Sequence, residues 1–397
     1  MDLQRNNEVL IRGKIPLYAY VFLLACIVKQ FYIGVSGSFQ ISDLLFFLSY
    51  FLMCRGNVFS AFSSEKNQKL VKFIFCTIII NGIYALIYLK TQFILSSLYY
   101  IFNLFLVFVF EEAMYYEEFL KKLETVQKIN LLIQLAVYLA NRGRWYMGER
   151  YQGTFNDPNQ YAFFILTSFL MIALLMNMRN KMKWCIPWYI LALFLLMPSS
   201  STGMVIGFGA FIFLFILFSM SDNNGARILW FVVATVVFAL FIMVSKGQLH
   251  LPASIENSDI YNRTMGKINN VAFNWDELLV DRKWYIVFDN WWMMLYGAGD
   301  GYFLRFGSGN EVHSSILAPL FYYGIIPFSI LFSWCREKLR GIKLSVWCVY
   351  LSLILESVVL ANNRQPVFWM IFVLAGHVLT KDPNRYGIIQ PQQIDDR

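Results

Sequence analysis

Long, uninterrupted apolar runs constrain the fold of this chain more than any other feature. Residues 73–89 read "FIFCTIIINGIYALIYL" and residues 207–218 read "GFGAFIFLFILF". A helix needs roughly 20 mostly apolar residues to cross the hydrocarbon core of a bilayer. Charged residues make up only 15% of the 397 residues, against about a quarter in an average soluble domain. These features predict a polytopic membrane protein.

Hydropathy predicts an all-α membrane helix bundle with about twelve transmembrane helices, folded as a single integral membrane domain over residues 1–397. The expected spans lie near 17–33, 39–53, 70–89, 93–110, 128–141, 161–177, 184–198, 201–220, 227–245, 314–334, 344–361 and 365–380. The segment 246–313 is the only long stretch between spans. It contains "VDRKWYIVFDNWWMMLYG", in which apolar and aromatic residues recur at helical spacing, so we expect short helices at the membrane interface.

The distribution of positive charge predicts the orientation of the bundle. Most of the 33 Lys and Arg residues fall on the segments that lie inside if both termini are cytoplasmic. The main exceptions cluster at 142–150 and within 246–313, which indicates an anionic ligand on the outer face. The alternative is that long loops cross the membrane regardless of their charge. Cytoplasmic loops also account for the net charge of +8, so no nucleic-acid partner is predicted.

A polar motif, "RYQGTFNDPNQYA" at 150–162, interrupts two apolar runs. Asp157-Pro158 predicts a helix start, with a capping acceptor followed by proline at the first helical position. Helix N-termini present N–H groups to anions, and the guanidinium of Arg150 can bind phosphate through two bonds. The same residues are also compatible with nothing more than a capped loop.

A second polar stretch begins at Gly297 and reads "GAGDGYFLRFGSGNEVHSSILAPLFYYGIIP". Its glycines indicate unusual dihedral angles or a close backbone approach to a ligand. His313 follows beside Glu311 where the next span begins, and histidine is suited to proton transfer near neutral pH. His250 and His377 are interpreted as ordinary polar residues. Neither a metal nor a cofactor is expected, because no carboxylate cluster or CxxC pair is present.

The order of these motifs resembles the superfamily of O-antigen polymerases (Wzy) and O-antigen ligases (WaaL), which are membrane glycosyltransferases. The resemblance covers about 140–335 and includes "SSSTGMVIG" at 199–207, where Thr202 stands in place of a common arginine. It implies a metal-independent inverting enzyme in which Arg150 and Arg282 bind a lipid-linked pyrophosphate, with Arg263 a weaker alternative to Arg282. It also implies that His313 acts on the acceptor sugar, with Glu311 beside it either as a catalytic partner that tunes His313 or as a solvated loop acid. The further expected substrate contacts are Asp157, Asn159, Gly299 and Ser314.

The resemblance favours a polymerase in a bacterial inner membrane. Its partners would be membrane lipid and an undecaprenyl-pyrophosphate-linked oligosaccharide, with a chain-length regulator as a further candidate, and its active site would lie at the periplasmic face. A ligase that transfers glycan to lipid A–core is the nearest alternative, but ligases usually have His-Asn where this chain has His313-Ser314. A lipid-oligosaccharide flippase is a less favoured alternative, because no internal repeat is visible and the polar residues gather at one face.

Overall fold

The computed structural model describes residues 14–33, 40–57, 60–63, 65–179, 181–201, 275–301, 311–342 and 344–378, together with positions 204, 207–209, 211, 262 and 306. This part of the chain is mostly helical. Its helices are α1 (Leu17–Val28), α2 (Ile41–Cys54), α3 (Gln68–Tyr88), α4 (Gln92–Met114), α5 (Glu117–Leu139), α6 (Pro158–Met178), α7 (Ile186–Leu196), α8 (Trp275–Asp281), α9 (Trp284–Asp289), α10 (Met293–Tyr296), α11 (Leu317–Tyr323), α12 (Ile325–Lys338), α13 (Leu344–Val359) and α14 (Pro366–Val378).

Three of these helices, α3, α4 and α6, are long and apolar enough to cross a membrane. Four shorter apolar helices accompany them, at Leu17–Val28, Ile41–Cys54, Ile186–Ser199 and Val346–Val358. Most of the expected spans 201–220 and 227–245 lie outside the described residues. The bundle of about twelve spans therefore stays a prediction.

A two-stranded antiparallel sheet departs from the expected all-α fold. β1 (Arg144–Tyr146) pairs with β2 (Arg150–Gly153) between α5 and α6. Met147 and Gly148 both have positive φ, 51° and 75°, and Glu149 N donates to Tyr146 O. Two consecutive residues of positive φ are typical of tight hairpin turns. The turn thus folds the polar segment back on itself ahead of α6.

The expected span 314–334 is broken into two helices at Gly324. Gly324 has a φ of 80°, and a methyl group added to it would lie 2.9 Å from the backbone N of Gly297. A residue with a side chain would therefore be strained here and would also clash. This break lets the segment after α10 pack against α11, where Ala298 N donates to Phe321 O at 2.9 Å.

Polar contacts gather at the two ends of the bundle. At one end, Arg179 after α6 pairs with Glu124 of α5 at 2.9 Å, and Lys338 of α12 pairs with Glu111 of α4. α6 begins at the other end, which also carries the hairpin, the segment 297–301 and the turn between α13 and α14. We call this second end the site end.

Candidate active site

The N-terminus of α6 is capped by its own chain. Asp157 Oδ1 accepts hydrogen bonds from the backbone N of Asn159, at 2.7 Å, and of Gln160, at 3.1 Å, and Pro158 occupies the first helical position. The predicted helix start is confirmed. The idea that these N–H groups bind an anion is wrong for this arrangement, because Asp157 already accepts from them.

Arg150 lies in strand β2 and ties three segments together. Its Nε donates to Ser199 O at 2.9 Å, and its Nη2 donates to Asn159 Oδ1 at 2.8 Å. Ser201 Oγ donates to the same Asn159 oxygen at 3.2 Å. The motifs at 150–162 and 199–207, which are far apart in sequence, therefore meet at the site end. Because Arg150 binds both motifs through its Nε and Nη2, its positively charged guanidinium has a fixed position at the site end.

His313 lies against the turn between α8 and α9. His313 N donates to Arg282 O at 3.0 Å, and Trp284 Nε1 donates to His313 O at 3.3 Å. Arg282 Nε is buried and has no hydrogen-bond partner among the described residues. A buried donor without a partner is costly, so such a group is suited to receive an acceptor from a ligand.

Charges from three parts of the chain act on the imidazole of His313. Burial lowers its pKa below the ordinary value, and the cations Arg282 and Lys283 lower it further. Glu311 and Asp157 oppose this shift. The net direction is downward, so the imidazole is neutral at pH 7 and able to accept a proton. The influence of Asp157 also shows that the start of α6 lies within electrostatic reach of His313.

The pKa of Arg282 is lowered from its ordinary value as well. Burial of the guanidinium is the main cause, and Asp281 partly offsets it. Arginine remains protonated near neutral pH even with such a shift. A partly desolvated cation beside a neutral base is an arrangement that binds an anion and accepts a proton at the same place.

Glu311 was expected to act with His313, but its ion pair is with Arg364. Arg364 Nη1 donates to Glu311 Oε1 at 3.0 Å, and Arg364 Nη2 lies 2.8 Å from Glu311 Oε2. Arg364 Nη2 also lies 3.1 Å from Oδ1 of Asp300, a buried residue that the sequence analysis did not select. Asp300 stands among the glycines of the second polar stretch, and Arg364 stands in "NNRQP" between two apolar runs. A charged residue in either place is unusual enough to have indicated a role from sequence.

Two of the expected substrate contacts serve the fold. Ser314 is buried, and its Oγ accepts from the backbone N of Ile316 and Leu317, at 3.3 and 3.0 Å. Gly299 has a φ of 72°, and a methyl group there would lie 2.6 Å from the ring of Tyr84. The close approach of this glycine is to a protein side chain. Neither residue's arrangement points to a ligand.

Several residues of the sequence analysis lie outside the described part of the chain. They are Thr202, His250, Arg263, Gly307 and Gly309. His377 falls in α14, beside Gly376, where an added methyl group would lie 2.6 Å from Lys338 O. That contact lies at the end of the bundle opposite to the site end.

Family models and curated protein sequences were both compared with the chain. No protein-family model matches the chain, and no curated protein matches its sequence.

Proposed function

We propose that the protein is an O-antigen-type polysaccharide polymerase with about twelve membrane spans. It transfers a growing glycan from undecaprenyl pyrophosphate onto a lipid-linked repeat unit at the periplasmic face of a bacterial inner membrane, with both termini cytoplasmic. The observation that supports this most is that Arg282, whose buried Nε lacks a partner among the described residues, lies next to His313, whose backbone N donates to Arg282 O at 3.0 Å.

The reaction divides between these two side chains. The acceptor hydroxyl of the lipid-linked repeat attacks the anomeric carbon of the donor sugar, and its proton passes to His313. The bond between that carbon and the pyrophosphate oxygen breaks with inversion. Negative charge then grows on the departing undecaprenyl pyrophosphate, and Arg282 stabilises it in a partly dehydrated site.

Arg150 and Asn159 form the second part of the proposed site. In the described arrangement Arg150 donates to Ser199 and Asn159, so it acts on the pyrophosphate through its charge and its rigid position. Asp157 lies two residues from Asn159 and within electrostatic reach of His313. The two polar motifs can therefore border one substrate. No metal or other cofactor takes part in this mechanism.

Exposed aromatic side chains support a position at the membrane surface. Trp291, Trp292 and Tyr296 in and beside α10 are all exposed, as is Leu295. Tryptophan and tyrosine favour the membrane–water interface. The pyrophosphate of a lipid carrier lies at that same depth, so Arg282 and His313 would meet it without drawing the lipid out of the bilayer.

Deleting the gene and separating the surface polysaccharide on a gel tests this proposal. A polymerase deletion leaves lipid A–core with a single repeat unit, and a plasmid copy restores the ladder. Bare lipid A–core would instead identify a ligase. Trapping of lipid-linked repeats on the cytoplasmic side would identify a flippase. In the same assay, His313→Ala should resemble the deletion, whereas His250→Ala and His377→Ala should restore the ladder.

A purified system separates catalysis from assembly. The protein, reconstituted in vesicles with undecaprenyl-pyrophosphate-linked repeats, should lengthen the glycan and release undecaprenyl pyrophosphate. His313→Ala should lower this rate by roughly 10²–10⁴-fold, the usual loss for an acid–base catalyst. Full polymerisation by His313→Ala would eliminate His313 as the base.

A further inference from the structure

Arg364 joins three parts of the site end that are distant in sequence. Its guanidinium holds Glu311 through both carboxylate oxygens, at 3.0 and 2.8 Å, and reaches Asp300 at 3.1 Å. Tyr323 donates to the other oxygen of Asp300 at 3.2 Å. The guanidinium carbon also lies 5.8 Å from the ring centroid of Tyr99, within range of a cation–π contact.

The segment 311–315 is anchored at both of its ends. Glu311 is held by Arg364, and the backbone N of Ser315 donates to the carbonyl oxygens of Ser357 and Leu360, at 2.8 and 2.9 Å. Ser315 Oγ in turn accepts from Asn362 N at 2.7 Å. His313 lies midway between the two anchors. The end of α13 and the turn that follows it therefore hold the segment on both sides of His313, while Arg282 and Trp284 bind the backbone of His313 itself.

The charges of this cluster do not cancel. One guanidinium faces two carboxylates, those of Asp300 and Glu311, and Glu311 is only two residues from His313. The other charged groups that act on His313 are Arg282 and Lys283 at the α8–α9 turn and Asp157 at the start of α6. Loss of Arg364 would leave Glu311 uncompensated beside His313, and a nearby carboxylate favours the charged imidazole.

We propose that Arg364 is a positioning residue that clamps Glu311 to Asp300, and thereby holds the segment that carries His313 in place and compensates the carboxylate beside it. This inference rests on the proposed function only for the role of His313 as a base. It assigns Glu311 to the clamp, from which its charge still acts on His313. A planar fork is required, because a lysine ammonium is a point charge and cannot bind two carboxylates through parallel bonds.

The charge state of His313 can be measured without any enzyme activity. Diethyl pyrocarbonate modifies only neutral imidazole, so the modification rate of the His313 peptide, followed by mass spectrometry across a pH series, gives its titration midpoint. The wild-type midpoint is expected below about 6.5, the ordinary histidine value. Arg364→Gln should raise it by about one pH unit, the effect of a nearby carboxylate. Arg364→Lys should fall between the two.

Two further variants assign the shift to the clamp. Adding Glu311→Gln to Arg364→Gln should return the midpoint toward the wild-type value, because the uncompensated carboxylate is gone. Arg142→Gln removes a cation from the exposed loop before β1 and should leave the midpoint unchanged. An unshifted midpoint in Arg364→Gln, or an equal shift in the double variant, overturns the proposal.

A second route is available if Arg364→Gln does not fold. Asp300→Asn combined with Glu311→Gln keeps the cation and removes both carboxylates, so the His313 midpoint should move down. A midpoint that stays or rises contradicts the clamp. The gel assay of the glycan ladder tests the proposed function independently of the His313 midpoint. A normal ladder in His313→Ala together with a shifted midpoint in Arg364→Gln would retain the clamp and reject His313 as the base.

Discussion

Two substitutions on different elements should move the pH dependence of the reaction in opposite directions. Arg282→Gln removes a cation that lowers the pKa of His313, and Asp157→Asn removes an anion that raises it. Asparagine caps a helix about as well as aspartate, so the second change keeps the start of α6. Because His313 must be unprotonated to act as a base, the rate falls as pH drops through its pKa.

The order of the influences on His313 sets the expected sizes. Burial comes first and Arg282 second, whereas Asp157 is the weakest of the named charges. A nearby charge moves a pKa by about 1–3 units. We therefore expect Arg282→Gln to raise the midpoint of the acidic limb of the pH–rate profile by about one pH unit. Burial and Lys283 remain in that variant and continue to lower the pKa. Asp157→Asn should lower the limb by a few tenths of a unit.

Initial rates of glycan extension by the reconstituted protein between pH 4.5 and 8 (a range of roughly two units on either side of the ordinary histidine pKa) provide the assay. The plateau rate of Arg282→Gln should also fall by roughly 10²–10³-fold, as on loss of a donor to developing negative charge. Lys283→Gln should move the limb upward without so large a loss. If both Arg282→Gln and Asp157→Asn leave the limb in place, His313 is not the titrating base.

Other substitutions test the architecture of the site end. Asp157→Ala should cost about 1 kcal/mol of stability because two N–H groups of α6 lose their acceptor, and thermal unfolding in detergent should show no such loss for Asp157→Asn. Gly297→Ala should cost about 1–3 kcal/mol, because Gly297 has a φ of 93° and the new methyl would lie 2.6 Å from Tyr322 O. Gly56→Ala is its control, with a φ of 95° but no atom within 4 Å, and equal losses would show that the packing of Gly297 does not matter. Arg150→Lys should reduce the glycan ladder because lysine lacks the two separate nitrogens, in fixed planar geometry, that bind Ser199 O and Asn159 Oδ1. Arg144→Lys, at an exposed bond to Asn156, should leave the ladder intact.

Local sequence signals were sufficient where neighbouring residues decide the structure. Asp157-Pro158 predicted the start of α6 because capping depends on the groups of a single helical turn. The apolar runs likewise predicted α3, α4 and α6 closely. The hairpin was missed because its turn uses Met147-Gly148, and methionine is not a typical residue at a position of positive φ.

Contacts between distant segments were not readable from the chain. The ion pairs of Arg364 with Glu311 and Asp300 join positions 53 and 64 residues apart. Glu311 was paired with His313 in the sequence analysis because the two are neighbours along the chain. The tertiary structure instead brings a better partner, a guanidinium that can bind the carboxylate through two bonds.

The sequence by itself determined the mostly helical fold, the helix start at Asp157 and the choice of Arg150, Arg282 and His313 as the chemically interesting residues. The helical fold and the helix start follow from composition and from residues within one helical turn, whereas Arg282 was chosen through the family resemblance. Only the tertiary structure decided that Arg150 is occupied by Ser199 and Asn159 while Arg282 has a buried Nε without a partner among the described residues. The physical reason is that burial and hydrogen-bond pairing depend on which distant segments pack together, and residue type alone does not fix that.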